Sequence, residues 1–547
     1  MVAVEARKKA PPETPESIGL RSKIVLSFWA VILLLGLPTW YKTTEIYRAS
    51  LPLEQMLGLS ECEPPLPKLP PQIWLDIPGV LCADAQRIAR DTQNELDLLG
   101  KESFTQPRVR LVHNEDDSGP KCGVSLQSIK EEGPDFEVRF AGEATQYTFE
   151  LENGRSKALV KYSQSQRPAL PRDLALSIRD VFADEEVAHL LQINKLVINH
   201  PYGLAFAQYN GDAVLEIEKQ MGRAAKPSPG YHLTFSLFAA TGAPSSWDIR
   251  KALDTHIQPL VHALEKTLAI EVGTQVQLFS PYSPSVETFQ LQGTRGNFLH
   301  QGDLTSFVNA AEWPLSPSIG DGPTLNFIVY VPSKADLPLG IEGDLGGAWM
   351  VPQWGGISIV NPDLVEDPET GSYVLPPHLS ENMLSEAFQT FSSQLLALLG
   401  VLSTNYRGTP LPIPLRLRSH QRLTAMSLHL KASSSLGSLA RLAKHLSSIP
   451  IPKHVAQLVD DSMSNLTSST TALNNGEWEE AIKYASIAYQ DAEKAFFDKS
   501  MVGQVYFPDE HKVAVYLPLL GPIGVPLVVG LLREVKRAAT LLRAKKS

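Results

Sequence analysis

Residues 513–532, VAVYLPLLGPIGVPLVVGLL, run for twenty positions without a charge. At 1.5 Å per residue a helix of this length spans the roughly 30 Å hydrocarbon core of a bilayer. Pro518, Pro522 and Pro526, with Gly521, Gly524 and Gly530, would spoil a helix in water. Lipid offers the backbone no other way to hydrogen-bond, and such residues are tolerated there. The run therefore reads as a kinked transmembrane helix. Arg533, Lys536, Arg537, Arg543, Lys545 and Lys546 follow at once and by the positive-inside rule place residues 533–547, a basic tail, in the cytosol.

A second uncharged run, IVLSFWAVILLLGLPTWY at residues 24–41, is preceded by Arg7, Lys8, Lys9, Arg21 and Lys23. A cleaved signal peptide has an apolar stretch of about 7–15 residues and a small-x-small exit. Here the exit is Thr39-Trp40-Tyr41-Lys42, with no Ala, Gly or Ser before Ala49, so the run reads as an uncleaved anchor behind a cytosolic tail, residues 1–23. Trp29, Trp40, Tyr41 and Tyr516 are candidate interface anchors. The expected fold class is a membrane protein with two terminal transmembrane helices and a large lumenal domain between them.

Residues 42–512 are long enough for a deep core. The formal charge of −10 argues against nucleic acid, because basic clusters occur only beside the two apolar runs. Cys62, Cys82 and Cys122 leave one thiol over in an oxidising compartment, and the pairing is open. Asn465-Leu466-Thr467 is a glycosylation sequon on the side of the membrane where glycans are added.

Along the chain, residues 42–71 are proline-rich and expected to be an extended spacer. Residues 72–376 read as an α/β (α+β) region. Its expected elements include a buried strand at 73–77, a helix at 84–99 and a strand at 108–113. An antiparallel meander is expected over 136–162 and a short helix at 183–193, followed by a strand at 231–238. Ser245 and Ser246 are expected to cap a long amphipathic helix, with Asp248 in its first turn. TLNFIVYV at 324–331 is apolar enough to be central in a sheet. Residues 298–307 read as a loop, and 343–356 as a glycine and tryptophan turn. Residues 377–512 read as a helical bundle leading into the last membrane helix.

No HExxH, GxxxxGK[ST] or GxSxG occurs. His300 and Asp303, with Asp321 and Asp344 further along, form a conceivable acid-base or metal cluster, but one histidine at this spacing matches no ligand pattern, and polar loop residues are the plainer reading. Gly346, Gly347, Gly355 and Gly356 have the composition of turns. No catalytic, cofactor or metal residue is assigned.

GLPTWYKTTEIYRASLP after the first run, YHLTFSLFAATGAPSSWDIRKAL, VPQWGG, and YFPDEHKVAVYLPLLGPIGVPLVVGLLREVKR occur in this order between residues 20 and 537. Together they resemble the PIG-S family of glycosylphosphatidylinositol (GPI) transamidase subunits. The resemblance implies an endoplasmic reticulum membrane protein with both termini cytosolic. It also implies a non-catalytic role, with catalysis in the caspase-like PIG-K subunit and with PIG-T, PIG-U and the Gaa-type subunit as further partners. Membrane lipid is an expected contact, and the GPI lipid or the precursor protein are candidate ligands. The competing reading is a membrane-tethered lumenal hydrolase or transferase using His300, Asp303 and Asp344.

Overall fold

The computed structural model describes residues 14–44, 47–113, 121–126, 133–152, 154–197, 209–228, 230–265, 267–282, 287–291, 294–307, 322–342, 347–403, 410–446, 449–502 and 509–544. The chain divides into two compact units, one of Met1–Leu51, Arg441–Gln457 and Phe497–Ser547, the other of Pro52–Ala440 and Leu458–Phe496.

In the first unit, helices Pro15–Val31 and Leu37–Thr44 are joined by a π-helical segment, Ile32–Gly36. Among the described residues, Glu16–Trp40 is the one helix long and apolar enough to cross a membrane. The helix Asp509–Ala544 runs for 36 residues with Pro518, Pro522 and Pro526 inside it, and exposes Leu517, Ile523, Val525, Val528, Val529 and Leu532. The two helices pack antiparallel. Ser22 Oγ donates to Glu534 Oε2 at 2.7 Å, Trp29 Nε1 donates to Leu527 O at 3.3 Å, and a Cβ on Gly530 would sit 3.5 Å from Val25 Cγ2. A small residue here lets the helices approach, as at helix interfaces in lipid.

Among the described residues the second unit holds two large sheets, one of six and one of five strands, and three smaller ones of three, two and two strands. The six-stranded sheet has the order Val124–Ser125, Arg108–His113, Gln72–Asp76, Phe136–Glu143, Lys157–Tyr162, Thr148–Leu151. All its pairings are parallel except that of Thr148–Leu151 with Lys157–Tyr162. This corrects the expected meander. Alternation along 136–162 reports that each strand has two differently covered faces, and carries no information on strand direction, which is set by where the chain crosses over. Helices Cys82–Leu99 and Leu170–Leu196 contribute Ala85, Ile88, Leu174 and Ile178 to the core of this sheet. The latter helix is 27 residues long, where a short helix at 183–193 was expected, and its added first turns bury Leu170, Leu174, Ile178 and Phe182 against the sheet.

The five-stranded sheet has the order Ala348–Val351, Gly355–Ile359, Thr324–Val331, Gly230–Ala239, Ala269–Gln277. Thr324–Val331 lies between two parallel neighbours and is buried from Leu325 onward, as its apolar run requires. One face of the sheet carries a stack of Phe235, Phe327, Phe388 and Phe391, with Phe235 and Phe327 centroids 5.1 Å apart. Phe388 and Phe391 come from the helix Glu381–Leu398. Leu411 and Leu415 join the core of the first sheet, and Met426, Leu473 and Trp478 form a third core with Leu66, Leu69 and Phe104. The helices after 377 thus cover sheets and share cores with earlier elements, and those within this unit do not form a separate bundle.

Other local expectations are corrected too. Leu53–Ser60 is a helix with Met56 fully buried, and Leu66 and Leu69 are core residues, so 52–71 is not an extended spacer. Its leucines and methionine find an apolar surface that composition does not reveal. Asp248, not Ser245 or Ser246, stands at the helix start before Ile249, because Ser246–Trp247 pairs with His378–Leu379 as short parallel strands. Thr294–Leu299 is a strand and Leu304–Phe307 a helical turn, where 298–307 was expected to be a loop.

Candidate functional site

His300 precedes the 3₁₀ turn Gln301–Asp303, and its Nδ1 lies 2.8 Å from Glu342 Oε2. Both side chains are exposed, and an exposed ion pair of this kind contributes little. Asp303 closes the turn through its N–H to His300 O at 3.0 Å. Asp321, Asp344 and Gly346 lie outside the described residues. Among the described residues no group of three His, Cys, Asp or Glu is arranged to hold a metal.

The glycines of the turn approach protein rather than solvent. A Cβ on Gly355 would fall 1.8 Å from Asn326 O, and one on Gly356 1.8 Å from Gln394 Oε1. Gly355 and Gly356 therefore let the strand Gly355–Ile359 lie against Thr324–Val331 and the helix Glu381–Leu398.

Cys82 and Cys122 form a disulfide that ties the start of the helix Cys82–Leu99 to the edge of the first sheet. Cys62 is the free cysteine, buried, with its thiol pushed up to about 11 by burial. That keeps it protonated and a poor nucleophile. Asn465 is half-buried on the helix Lys453–Asn475, its Nδ2 donating to Asp461 O at 2.9 Å.

Two constellations escaped sequence reasoning because their members are far apart in the chain. Ser246 Oγ lies 2.9 Å from His378 Nδ1, and His378 Nε2 lies 3.4 Å from Asp248 Oδ1. The residue types are those of a nucleophile, base and orienting carboxylate. The setting is not, since His378 is 45% exposed and Asp248 is shared with Lys251 at 3.4 Å. The neighbouring N–H groups of Ser245 and Asp248 are already bonded to Pro377 O and Leu379 O, leaving them unable to stabilise an oxyanion. The trio pins the start of the Ile249–Ala252 helix.

The other constellation is buried. Arg422 donates from Nε and Nη2 to the two oxygens of Glu185, at 2.6 and 2.8 Å, and from Nη1 to Asp135 Oδ1 at 2.6 Å. Trp478 Nε1 donates to the same Asp135 oxygen at 3.0 Å, and Gln72 N–H to the other at 2.7 Å. The Phe182 and Trp478 rings each lie 5.4 Å from the guanidinium carbon. Burial alone would raise the Glu185 carboxyl, but the charge and hydrogen bonds of Arg422 hold it down at about 2. Next in the chain, Glu186 accepts from Phe104 N and Thr105 N at 2.7 and 2.8 Å. These groups join six chain segments.

The described residues thus define a mixed α/β protein with a helical C-terminal region and an apolar N-terminal helix of membrane-crossing length, whose polar clusters are structural joints. The chain belongs to the PIG-S family: the family model described as "PIG-S: Phosphatidylinositol-glycan biosynthesis class S protein" matches residues 27–540. Among similar proteins, the "GPI transamidase component PIG-S homolog" of Schizosaccharomyces pombe is 27% identical, over 96% of this chain and 86% of its own. The "GPI-anchor transamidase component PIGS" of Homo sapiens is 27% identical, over 93% and 94%. The "GPI transamidase component GPI17" of Saccharomyces cerevisiae is 25% identical, over 95% and 92%.

Proposed function

We propose that this chain is a non-catalytic subunit of the GPI transamidase of the endoplasmic reticulum membrane, supporting the transfer of preassembled GPI anchors to precursor C-termini. Whole-length similarity to proteins named as transamidase components carries this reading. In it, the helices around 24–41 and 513–532 both cross the bilayer, both termini are cytosolic, and residues 42–512 are lumenal. The antiparallel contact of Ser22 with Glu534 and of Trp29 with Leu527 supports that topology, since it sets the basic flanks of both helices at one end. The Cys82–Cys122 disulfide supports placement in an oxidising lumen. Asn465 then faces the compartment where glycans are attached. Catalysis belongs to the caspase-like PIG-K subunit, and PIG-T, PIG-U and the Gaa-type subunit are the other partners.

The test is affinity purification of the full chain from detergent-solubilised membranes with mass spectrometry of what accompanies it. Comparable amounts of the four other subunits support the reading; a lone, monodisperse chain overturns it. A size shift on endoglycosidase treatment, abolished in Asn465→Gln, checks the glycan and with it the lumenal placement.

The second reading, a tethered lumenal hydrolase, draws on the Ser246, His378 and Asp248 geometry. Ser246→Ala with full GPI attachment and unchanged assembly excludes it.

A further inference from the structure

Within the second unit, a cavity of about 250 Å³ opens between the helices Leu170–Leu196, Gly211–Arg223 and Ile413–His445. Its interior is apolar, with Leu196, Met221, Ala225, Leu268, Leu399 and Leu423 among its walls. It exceeds the roughly 150 Å³ apolar cavity that accommodates a benzene ring. Three lysines, Lys195, Lys226 and Lys431, also line it, and among the described residues no Asp or Glu does. In a chain with 59 acidic and 49 basic residues, that local balance runs against the whole.

The side chain of one of these lysines and the backbone of another are held in place. Lys431 Nζ donates to Pro227 O at 3.0 Å and lies 5.5 Å from the Tyr489 ring centroid. The Tyr231 hydroxyl donates to Lys226 O at 3.0 Å and accepts from Ser228 N at 3.2 Å, which fixes the turn carrying Lys226. Burial lowers the Lys431 ammonium's pKa and the nearby Lys226 charge lowers it further, against an opposing pull from Glu493. Two ammonium groups that repel each other beside an apolar cavity are complementary to one anionic group on an apolar chain. His420, also in the wall, is kept neutral by burial, which pushes it down to about 4, so it adds no charge at neutral pH.

We propose that this cavity binds a single-chain anionic amphiphile, with its chain against Met221, Leu399 and Leu423 and its carboxylate or phosphate at Lys226 and Lys431. The proposal stands apart from the transamidase reading, because it rests on the cavity alone.

The test uses the full chain in its native membranes and three photoactivatable diazirine probes of equal chain length: a fatty acid, a lysophosphatidate and a neutral monoacylglycerol. After irradiation, labelled peptides are identified by mass spectrometry. The expected result is labelling of peptides containing Met221, Leu399 or Leu423 by an anionic probe, at least roughly tenfold above the neutral one. The stronger of the two anionic probes distinguishes a carboxylate from a phosphate headgroup. Lys226→Glu, an exposed substitution, and Ala224→Trp, which fills the cavity, should each reduce that labelling roughly tenfold in protein that still accumulates normally. Equal labelling by the neutral probe, labelling only elsewhere, or labelling that neither substitution reduces would overturn the proposal. If a variant fails to accumulate, the anionic-to-neutral ratio in the unaltered chain decides.

Discussion

Arg422 and Glu185 meet through two parallel N–H···O bonds, 2.6 and 2.8 Å long, at a point where neither side chain is more than 2% exposed. Removing one partner of such a pair leaves a buried charge uncompensated. Arg422→Met is expected to destabilise the full chain by about 3–5 kcal/mol. Pairing it with Glu185→Leu should restore part of the loss, read as the urea or thermal midpoint of the purified protein. A single substitution that leaves the midpoint unchanged would show the pair to be dispensable.

Acid should weaken the fold before it reaches the carboxylates. His420 and His429 are buried and pushed down to about 4, so the folded state binds their protons less readily than the unfolded chain, whose histidines titrate near 6.5. The histidines' contribution is therefore full above pH 6.5 and declines as pH falls towards 4, by roughly 3 kcal/mol per histidine. The Glu185 contribution is lost only below that, between its ordinary value of 4.5 and about 2. Asp184 has the opposite sign. Burial raises it to about 7, so its contribution is present below pH 3.8 and lost as pH rises through 7. Asp184→Asn should accordingly raise the melting temperature more at pH 8 than at pH 5.

Gly355 and Gly356 separate rigid from yielding neighbours. In Gly355→Ala the added carbon meets the carbonyl oxygen of Asn326, which is backbone within a buried strand. In Gly356→Ala it meets the carboxamide of Gln394, a side chain that can rotate. The first should cost roughly 3 kcal/mol or more and the second clearly less, measured on matched variants by denaturation midpoint.

Cys82 and Cys122 close a loop with a sequence separation of 40. Chain entropy alone assigns such a crosslink about 4 kcal/mol, so Cys82→Ser with Cys122→Ser should lower the midpoint by an amount of that order. Cys62 should resist alkylation in the folded protein and react once urea unfolds it, because burial both hides the thiol and keeps it protonated.

The cluster that the sequence offers, His300 and Asp303 with Asp321 and Asp344, draws on residues near one another in the chain, and polar loop residues are its plainer reading. Folding instead gave His300 a surface partner, Glu342. The constellations that folding did assemble draw on residues 132 positions apart for Ser246 and His378, and 237 apart for Glu185 and Arg422. No local pattern marks such pairs. Asp184, Glu185 and Glu186 interrupt an apolar pattern and argue locally for a surface helix, and all three are buried.

Sequence by itself determined the two apolar runs with their basic flanks, the central position of TLNFIVYV, the helices after 377 and the family, because length, charge and apolar periodicity are local quantities. Only tertiary structure decided the parallel pairing of Phe136–Glu143 with Gln72–Asp76 and Lys157–Tyr162, the burial of Met56 in what composition reads as a spacer, the pairing of Cys82 with Cys122, and the meeting of Arg422 with Glu185 and Asp135. Each of these depends on which distant segment supplies the other half of a contact, and the free energy that selects it belongs to the assembled core and not to either segment alone.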